Sequence, residues 1–167
     1  MVRQIIRDSS FEEAFQDLYP RALRSVQRLL GDSTAAEDAA AEALARAFAE
    51  WPRVQHLPHR DAWVLRVAMN FALDTLRRKV PFVRPAPALD AEEVATLRVA
   101  LWAALKSLPR RQREIVVLRY IAGLNEEEIA RSLELSPGTV KTHMKRGMSA
   151  LRRTMGAGET EAVLDVE

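Results

Sequence analysis

Near the carboxyl-terminal end of the sequence, polar and basic side chains recur along one short stretch of predicted helix. Ser136-Pro137 marks the helix start, because a serine hydroxyl accepts a hydrogen bond from a free backbone amide and proline fits the first turn. The side chains around this start can contact base edges and phosphates in a major groove. They are Ser136, Thr139, Lys141, Thr142, His143, Lys145 and Arg146. The pattern predicts a DNA-reading helix, and the alternative is a structural helix with a solvated basic face.

The residues before this helix predict the element that packs against it. Asn125-x-x-Glu128 has the pattern of a capping box, which satisfies free backbone amides at a helix start. The helix it opens ends near Leu133, and the short turn over 134–136 allows only a tight helix-turn-helix. The net charge of +6 over residues 106–153 favours a polyanionic partner. The side chains spaced to bury between the two helices are Ile129, Ala130, Leu133, Leu135, Val140, Met144 and Leu151.

A second basic block, with net charge +5 over residues 51–84, lies in the first half of the chain. It contains a helix predicted from about Arg60 to Lys79. On this helix Asn70 carries both a donor and an acceptor, which suits the edge of a base. Trp63 either stacks on a base or belongs to the apolar stripe of the core. Two basic blocks predict two surfaces that face a polyanion, or two ordinary solvated faces.

Composition argues against several other classes of function. The 167 residues include no cysteine, which excludes disulfides, thiolate chemistry and cysteine-based zinc sites. The sequence has no apolar run of about 18 residues and no secretory signal, so we expect no membrane insertion. His56-x-x-His59 lacks further metal ligands except Asp61, and we expect both histidines to be polar loop residues. No catalytic constellation stands out, so we expect no enzyme, no cofactor and no small-molecule substrate.

The elements that position these residues are predicted to be helices throughout. The sequence has 26 Ala and 20 Leu against 26 β-branched residues, a mix that favours helix over sheet. Ser10 and Thr34 are predicted N-caps, Pro20 a break or kink, and Pro52 the end of the second helix. The predicted helices run over about 10–30, 34–51, 60–79, 90–107, 109–122, 125–133 and 137–155.

The chain is predicted to fold as two small helical domains joined by a proline-rich linker, the second domain containing the helix-turn-helix. Three prolines within residues 81–87 forbid a continuing helix and favour an extended segment. The predicted boundaries are a first domain over 1–80, a linker over 81–90, a second domain over 91–155 and an acidic, flexible tail over 156–167.

Both halves resemble one protein family. Residues 124–153, with the lead-in 108–120, resemble region 4 of bacterial RNA polymerase sigma factors, and also the output domain of response-regulator-type activators. Residues 11–32 resemble the opening of sigma region 2, residues 36–51 its second helix, and residues 61–78 its third. The full set looks like the extracytoplasmic-function group of sigma factors.

The resemblance implies a role for each surface. The second helix docks on a coiled coil of the polymerase β′ subunit through Asp38, Glu42 and Arg46, and Ala41 stands where the family usually has glutamine. The third helix and the loop before it read the −10 promoter element and hold the melted strand. The residues implied there are His56, Arg60, Trp63, Arg66, Asn70, Asp74, Arg77 and Arg78. The DNA-reading helix near the carboxyl terminus reads the −35 element.

By the same resemblance, the chain is an alternative sigma factor that directs core RNA polymerase to specific promoters and promotes melting. Core polymerase, through its β′ and β subunits, promoter DNA and an anti-sigma factor are the implied partners, and the cytoplasm is the implied location. Two alternatives remain at this stage. A dimeric DNA-binding activator needs a sensor pocket or dimer seam within residues 1–80, and a structural adaptor shows no salt-dependent affinity for DNA.

Overall fold

A computed structural model of the chain describes residues 2–78 and 89–164, with side chains for 11–78 and 96–156. Every regular element in these ranges is an α-helix, which confirms the all-α prediction. The helices are α1 Val2–Leu30, α2 Ser33–Ala49, α3 Trp51–Val54, α4 Arg60–Arg78, α5 Leu89–Ser107, α6 Arg110–Tyr120, α7 Glu126–Leu133 and α8 Pro137–Leu164. None of these helices is long and apolar enough to cross a membrane.

The first half of the chain is a bundle of α1, α2 and α4, with the one-turn α3 beside it. The buried side of α2 consists mainly of alanines, among them Ala36, Ala40 and Ala43, which are fully buried. Small side chains let α1 and α4 approach α2 closely, and larger residues such as Leu18 and Leu65 fill the remaining core. This bundle holds α4 and the loop before it in place.

The predicted start of the first helix at Ser10 is wrong. Helix α1 begins at Val2 and continues through Pro20 without a break. Proline removes one backbone donor and clashes with the carbonyl a turn earlier, but Pro20 is exposed, so solvent can satisfy that carbonyl. The helix ends where predicted, at Gly31, whose positive φ of 68° suits a residue without a side chain.

The predicted boundaries of the second helix are also corrected. Asp32, not Thr34, is the N-cap of α2, and its Oδ1 accepts a hydrogen bond from the backbone N–H of Ala35 at 3.1 Å. Aspartate accepts such a bond without the rotamer restriction of threonine. Helix α2 ends at Ala49, and Pro52 lies in the first turn of α3. Proline fits a first helical turn, so Pro52 helps to start α3.

The second half is built on α6, α7 and α8, with α5 packed against α8. Pro109 is the N-cap of α6 and not its first residue. The predicted end of the last helix near Met155 is wrong, because α8 continues to Leu164. The proline-rich segment predicted as a linker falls mostly within residues 79–88, outside the described residues. The two halves contact each other where α4 meets α6 and α7.

Candidate nucleic-acid interface

A helix-turn-helix formed by α7 and α8 is present, as predicted. The capping box at the start of α7 is complete: Asn125 Oδ1 accepts from the Glu128 N–H at 2.9 Å, and Glu128 Oε2 accepts from the Asn125 N–H at 2.7 Å. The chain turns at Glu134, which adopts the left-handed conformation with φ 56°. Leu135 N–H then donates to the Ala130 carbonyl at 2.8 Å, which fixes the turn.

One side of α8 is buried and the other is exposed and basic. Val140, Gly147 and Leu151 face the core of the second half. Of the predicted core residues here, Leu135 and Met144 are only partly buried, and the others are buried. The exposed side carries the predicted DNA-contacting residues Lys141, Thr142, Lys145 and Arg146. This side projects cations and a hydroxyl away from the protein, as a helix in a major groove requires.

The hydroxyl groups at the start of α8 also hold its first turn. Ser136 Oγ accepts from the Thr139 N–H at 3.1 Å and lies 2.8 Å from Thr139 Oγ1. Thr142 Oγ1 donates to the Gly138 carbonyl at 2.9 Å. His143 is half-buried, and its Nδ1 has no hydrogen-bond partner within the described residues. Ser136 is therefore first a helix cap, and Thr142 retains its lone pairs for a ligand.

The residues predicted to read the −10 element differ in exposure. Three of them, His56, Arg77 and Arg78, are exposed, and Arg77 forms an ion pair with Asp74 at 3.2 Å. The half-buried members of the set are Arg60, Arg66, Asn70 and Asp74. Trp63 is only 9% exposed, and the Arg53 guanidinium lies over its ring at 5.5 Å. Trp63 therefore packs in the core, and Arg53 covers the face on which a base would stack.

Two donors outside the predicted set, Trp51 Nε1 and His59 Nε2, lie in or beside this loop. Trp51 is buried, and its Nε1 has no hydrogen-bond partner among the residues described. The same is true of His59 Nε2, whereas Arg60 Nε lies 3.5 Å from Asp61 Oδ1 in an ion pair. The Arg60 guanidinium also lies over the Trp51 ring at 5.7 Å. Buried donors without partners cost free energy, so this region favours a ligand that brings acceptors. Nothing in the sequence indicates that Trp51 Nε1 is unpaired.

Two polar residues of α4 face the second half of the chain. Asn70 Nδ2 donates to Glu114 Oε1 at 3.4 Å, and Glu114 Oε2 pairs with Arg111 Nη1 at 3.0 Å. Burial lowers the pKa of Arg66 below its usual range, whereas the negative charge of Glu114 acts in the opposite direction. Glu114 precedes the apolar run 115–118, and its burial depends on the packing of α6 against α4.

The acidic residues of α2 form an exposed face. Asp38 and Glu42 are exposed, and Glu42 Oε1 lies 3.5 Å from Arg46 Nε. The Arg46 guanidinium also lies over the ring of Phe71, 4.5 Å from its centroid. Phe48 is a large apolar side chain that is 51% exposed beside this face. The acidic face and Phe48 together provide charge and apolar area for a protein partner.

Both halves of the chain match known protein families. The profile of sigma-70 region 2 matches residues 14–81, and the profile of sigma-70, region 4 matches residues 98–151. The RNA polymerase sigma-E factor of Streptomyces coelicolor is 34% identical over 158 residues, which cover 91% of this chain and 89% of that relative. The ECF RNA polymerase sigma factor SigW of Bacillus subtilis is 28% identical over 172 residues, and the match covers 86% of this chain and 90% of that relative.

A solved structure shares the fold. The sigma factor RpoE from Bartonella quintana, solved in complex with the anti-sigma factor NepR, superposes with a TM-score of 0.60. The two chains are 20% identical, and the match covers 88% of this chain and 97% of that one. The region 2 match over the first half gives no support to the activator alternative.

Proposed function

The chain belongs to the RNA polymerase sigma factors of the extracytoplasmic-function group, and on that basis we propose which surfaces perform each step of promoter recognition. As an alternative sigma factor it directs core RNA polymerase to specific promoters in transcription initiation. Proteins of this class are regulatory DNA-binding proteins. The polymerase catalyses phosphodiester bond formation. This chain recognises the promoter sequence and promotes melting of the promoter DNA.

The exposed side of α8 reads the −35 element. The observation that carries this step is the division of α8 into a buried side, with Val140 and Gly147, and an exposed side of cations. Lys141, Lys145 and Arg146 neutralise phosphates, while Thr142 and His143 lie where side chains contact base edges. Ser136 and Thr139 lie at the amino-terminal end of α8, where the backbone places the positive end of the helix dipole, so their hydroxyl groups are positioned beside a phosphate.

The surface around α4 reads the −10 element and holds the melted strand. Arg77 and Arg78 extend from the end of α4 into solvent, which suits contacts to a phosphate backbone. Asn70 provides a donor and an acceptor for a base edge. The loop before α4 adds His59, whose Nε2 has no hydrogen-bond partner among the described residues, to the predicted set His56, Arg60, Arg66 and Asp74.

The acidic face of α2 docks on core polymerase. Asp38 is exposed and pairs with a basic side chain of the β′ coiled coil. Glu42 and Arg46, which form an exposed ion pair with each other in the free chain, exchange it for partners on the coiled coil. Ala41 is exposed between them and offers no polar group, so this contact depends more on charge than in relatives with glutamine there. The second domain is proposed to reach the β subunit.

The domain division proposed is 1–80 for polymerase and the −10 element, 81–90 for the spacer, 91–155 for the −35 element and 156–167 for the tail. An anti-sigma factor is a further proposed partner, because the structurally similar RpoE was solved with one. A protein that works with core polymerase works in the bacterial cytoplasm.

The direct test is reconstitution with bacterial core RNA polymerase, followed by run-off transcription on fragmented genomic DNA. We expect stoichiometric binding to core polymerase and discrete new start sites, which also reveal the promoter sequence. Failure to bind core polymerase while duplex DNA is still bound would overturn the assignment of the α2 face. Core polymerase without the chain is the control for start sites.

A further inference from the structure

The exposed side of α1 changes its charge along the helix. Glu13 and Asp17 are exposed in the middle of α1, and they are followed by Arg21, Arg24 and Arg28. Residues three or four positions apart lie on one side of a helix, so the three arginines form one row. This row, the basic stripe of α1, is about 10 Å long at the rise of an α-helix. No function has so far been assigned to it.

The basic stripe is not explained by the stability of α1. A cation gains from the helix dipole only within the last turn, and of the three arginines only Arg28 lies in that turn. Cations three or four residues apart repel each other, which opposes helix formation. The arrangement of Arg21, Arg24 and Arg28 therefore costs free energy on folding, and an anion bound along the stripe would remove this cost.

Arg24 and Arg28 also lack a counter-ion on the protein. The positions three and four residues from Arg24 on α1 are Pro20, Arg21, Gln27 and Arg28, so no carboxylate lies beside it on the helix. Neither Arg24 nor Arg28 forms an ion pair with another described residue. Other exposed arginines do pair with a carboxylate three or four positions away, among them Arg46, Arg53, Arg77 and Arg131.

The basic stripe is joined to the loop before α4 through Asp61. Asp61 Oδ2 lies 2.9 Å from Arg21 Nη1, and its Oδ1 lies 3.5 Å from Arg60 Nε. Arg60 belongs to the set predicted to read the −10 element. The carboxylate thus lies between one arginine of each surface and fixes α1 against the start of α4. The four arginines and one carboxylate leave a net charge of +3 on a continuous surface of the first half.

We propose that the basic stripe of α1 binds the sugar–phosphate backbone of promoter DNA beside the −10 element. Guanidinium groups form strong, charge-assisted hydrogen bonds with phosphates, and such contacts position the DNA without reading its sequence. About 10 Å is the axial length of about three nucleotides of one strand, so the three arginines can meet successive phosphates. The stripe anchors DNA whose bases lie at α4, and the proposal therefore rests on the −10 role proposed for that helix.

The test measures the salt dependence of promoter binding by reconstituted polymerase, on a labelled promoter fragment identified by run-off transcription. The test variant is Arg24→Gln with Arg28→Gln. The conservative variant is Arg24→Lys with Arg28→Lys, which keeps the charge and loses the planar guanidinium. The matched control is Lys106→Gln with Arg110→Gln, which removes the same charge from the exposed corner between α5 and α6, outside both proposed DNA surfaces.

We expect the slope of log affinity against log salt to become shallower by about 1.4–1.8 in the glutamine variant, because two phosphate contacts are lost. The lysine variant should keep nearly the wild-type slope, since the release of counter-ions depends on charge. The control should keep it too. Thermal unfolding of the free glutamine variant should occur at the wild-type temperature or above it, because a like-charge pair has been removed.

An unchanged slope in the glutamine variant would overturn the proposal, as would an equal change in the control. A lysine variant as shallow as the glutamine variant would also overturn it. The affinity of the labelled chain for core polymerase, measured by fluorescence anisotropy, should not change. A loss there with an unchanged slope would show that the stripe binds the polymerase and not DNA. A wild-type chain that gives no discrete start sites would instead contradict the proposed function.

Discussion

Gly147 of α8 lies directly against Val116 of α6: a Cβ atom on residue 147 would come within 2.9 Å of Val116 Cγ2. Such a distance is shorter than a carbon–carbon contact allows, so only glycine permits this approach of the two helices. Val116 is buried in α6, and α6 also supports α7. The position of α8, the helix proposed to read the −35 element, therefore depends on a residue that contributes no side chain.

Gly147→Ala should destabilise the protein by about 1–3 kcal/mol, because the added methyl group must displace Val116. Urea denaturation followed by circular dichroism measures this change. The control is Gly156→Ala, also within α8, where a Cβ meets no atom of the described residues within 4 Å. There alanine should stabilise the helix by about 0.5–1 kcal/mol. Equal stabilisation by alanine at residues 147 and 156 would contradict the close approach of α6 and α8.

Arg113 ties the end of α5 to the start of α6. Its guanidinium donates to three backbone carbonyls at 3.0–3.2 Å, those of Leu105, Lys106 and Leu108. Arg113→Ala should cost about 2 kcal/mol, less than three full hydrogen bonds because the site is partly open to solvent. Arg113→Lys should not restore the loss, because an ammonium lacks the planar fork. Thermal unfolding measures both, and exposed Arg110→Ala, the control, should change stability by less than about 0.5 kcal/mol.

The capping box of α7 is the next testable element. Asn125→Ala removes the acceptor for the Glu128 N–H and should cost about 1 kcal/mol. Hydrogen exchange should show faster exchange in the first turn of α7, with α1 and α2 unchanged. Glu127→Ala is the control in the same turn, since Glu127 is exposed and takes no part in the cap. Equal destabilisation by the two variants would argue against the box.

Local signals predicted the second half well because each one determines a backbone conformation directly. The capping box of Asn125 and Glu128 and the helix start at Ser136-Pro137 both appear where the sequence placed them. The burial of Ile129, Val140 and Leu151 also followed from their spacing. These features depend on residues near each other in the chain.

The sequence did not predict features that depend on distant packing. Pro20 reads as a helix break, but in α1 its ring faces solvent and the bundle holds both flanking turns. From the sequence alone, Glu114 is expected to be a solvated charge on α6. It is buried only because α4, about 44 residues earlier, packs against it. Phe48 follows the apolar period of α2, yet it remains 51% exposed because only the edge-on ring of Phe11 on α1, 5.0 Å away, packs against it among the described aromatic contacts. In each case tertiary contacts override a local pattern.

Phosphate contacts by α8 should appear in the salt dependence of promoter binding. Lys141→Ala, Lys145→Ala and Arg146→Ala, each made singly, should weaken binding of the reconstituted polymerase to promoter fragments. The slope of log affinity against log salt should fall by about 0.9 for each residue that contacts a phosphate. Arg131→Ala on α7 is the matched control, because it removes an exposed cation outside α8. A control that lowers the slope equally would show a non-specific charge effect.

Asp38→Ala combined with Glu42→Ala should weaken binding to core polymerase by about tenfold or more, because charge pairs at an interface are costly to leave unmatched. The only described ion pair broken is Glu42–Arg46 at 3.5 Å, and both side chains are at least half exposed. Exposed pairs contribute little to folding, so stability should change by less than about 1 kcal/mol. Glu13→Ala with Asp17→Ala removes the same charge at the same spacing from the exposed surface of α1 and should leave binding unchanged. Fluorescence anisotropy of the labelled chain with core polymerase measures all three proteins. Equal affinity of the two double variants would place the docking face elsewhere than on α2.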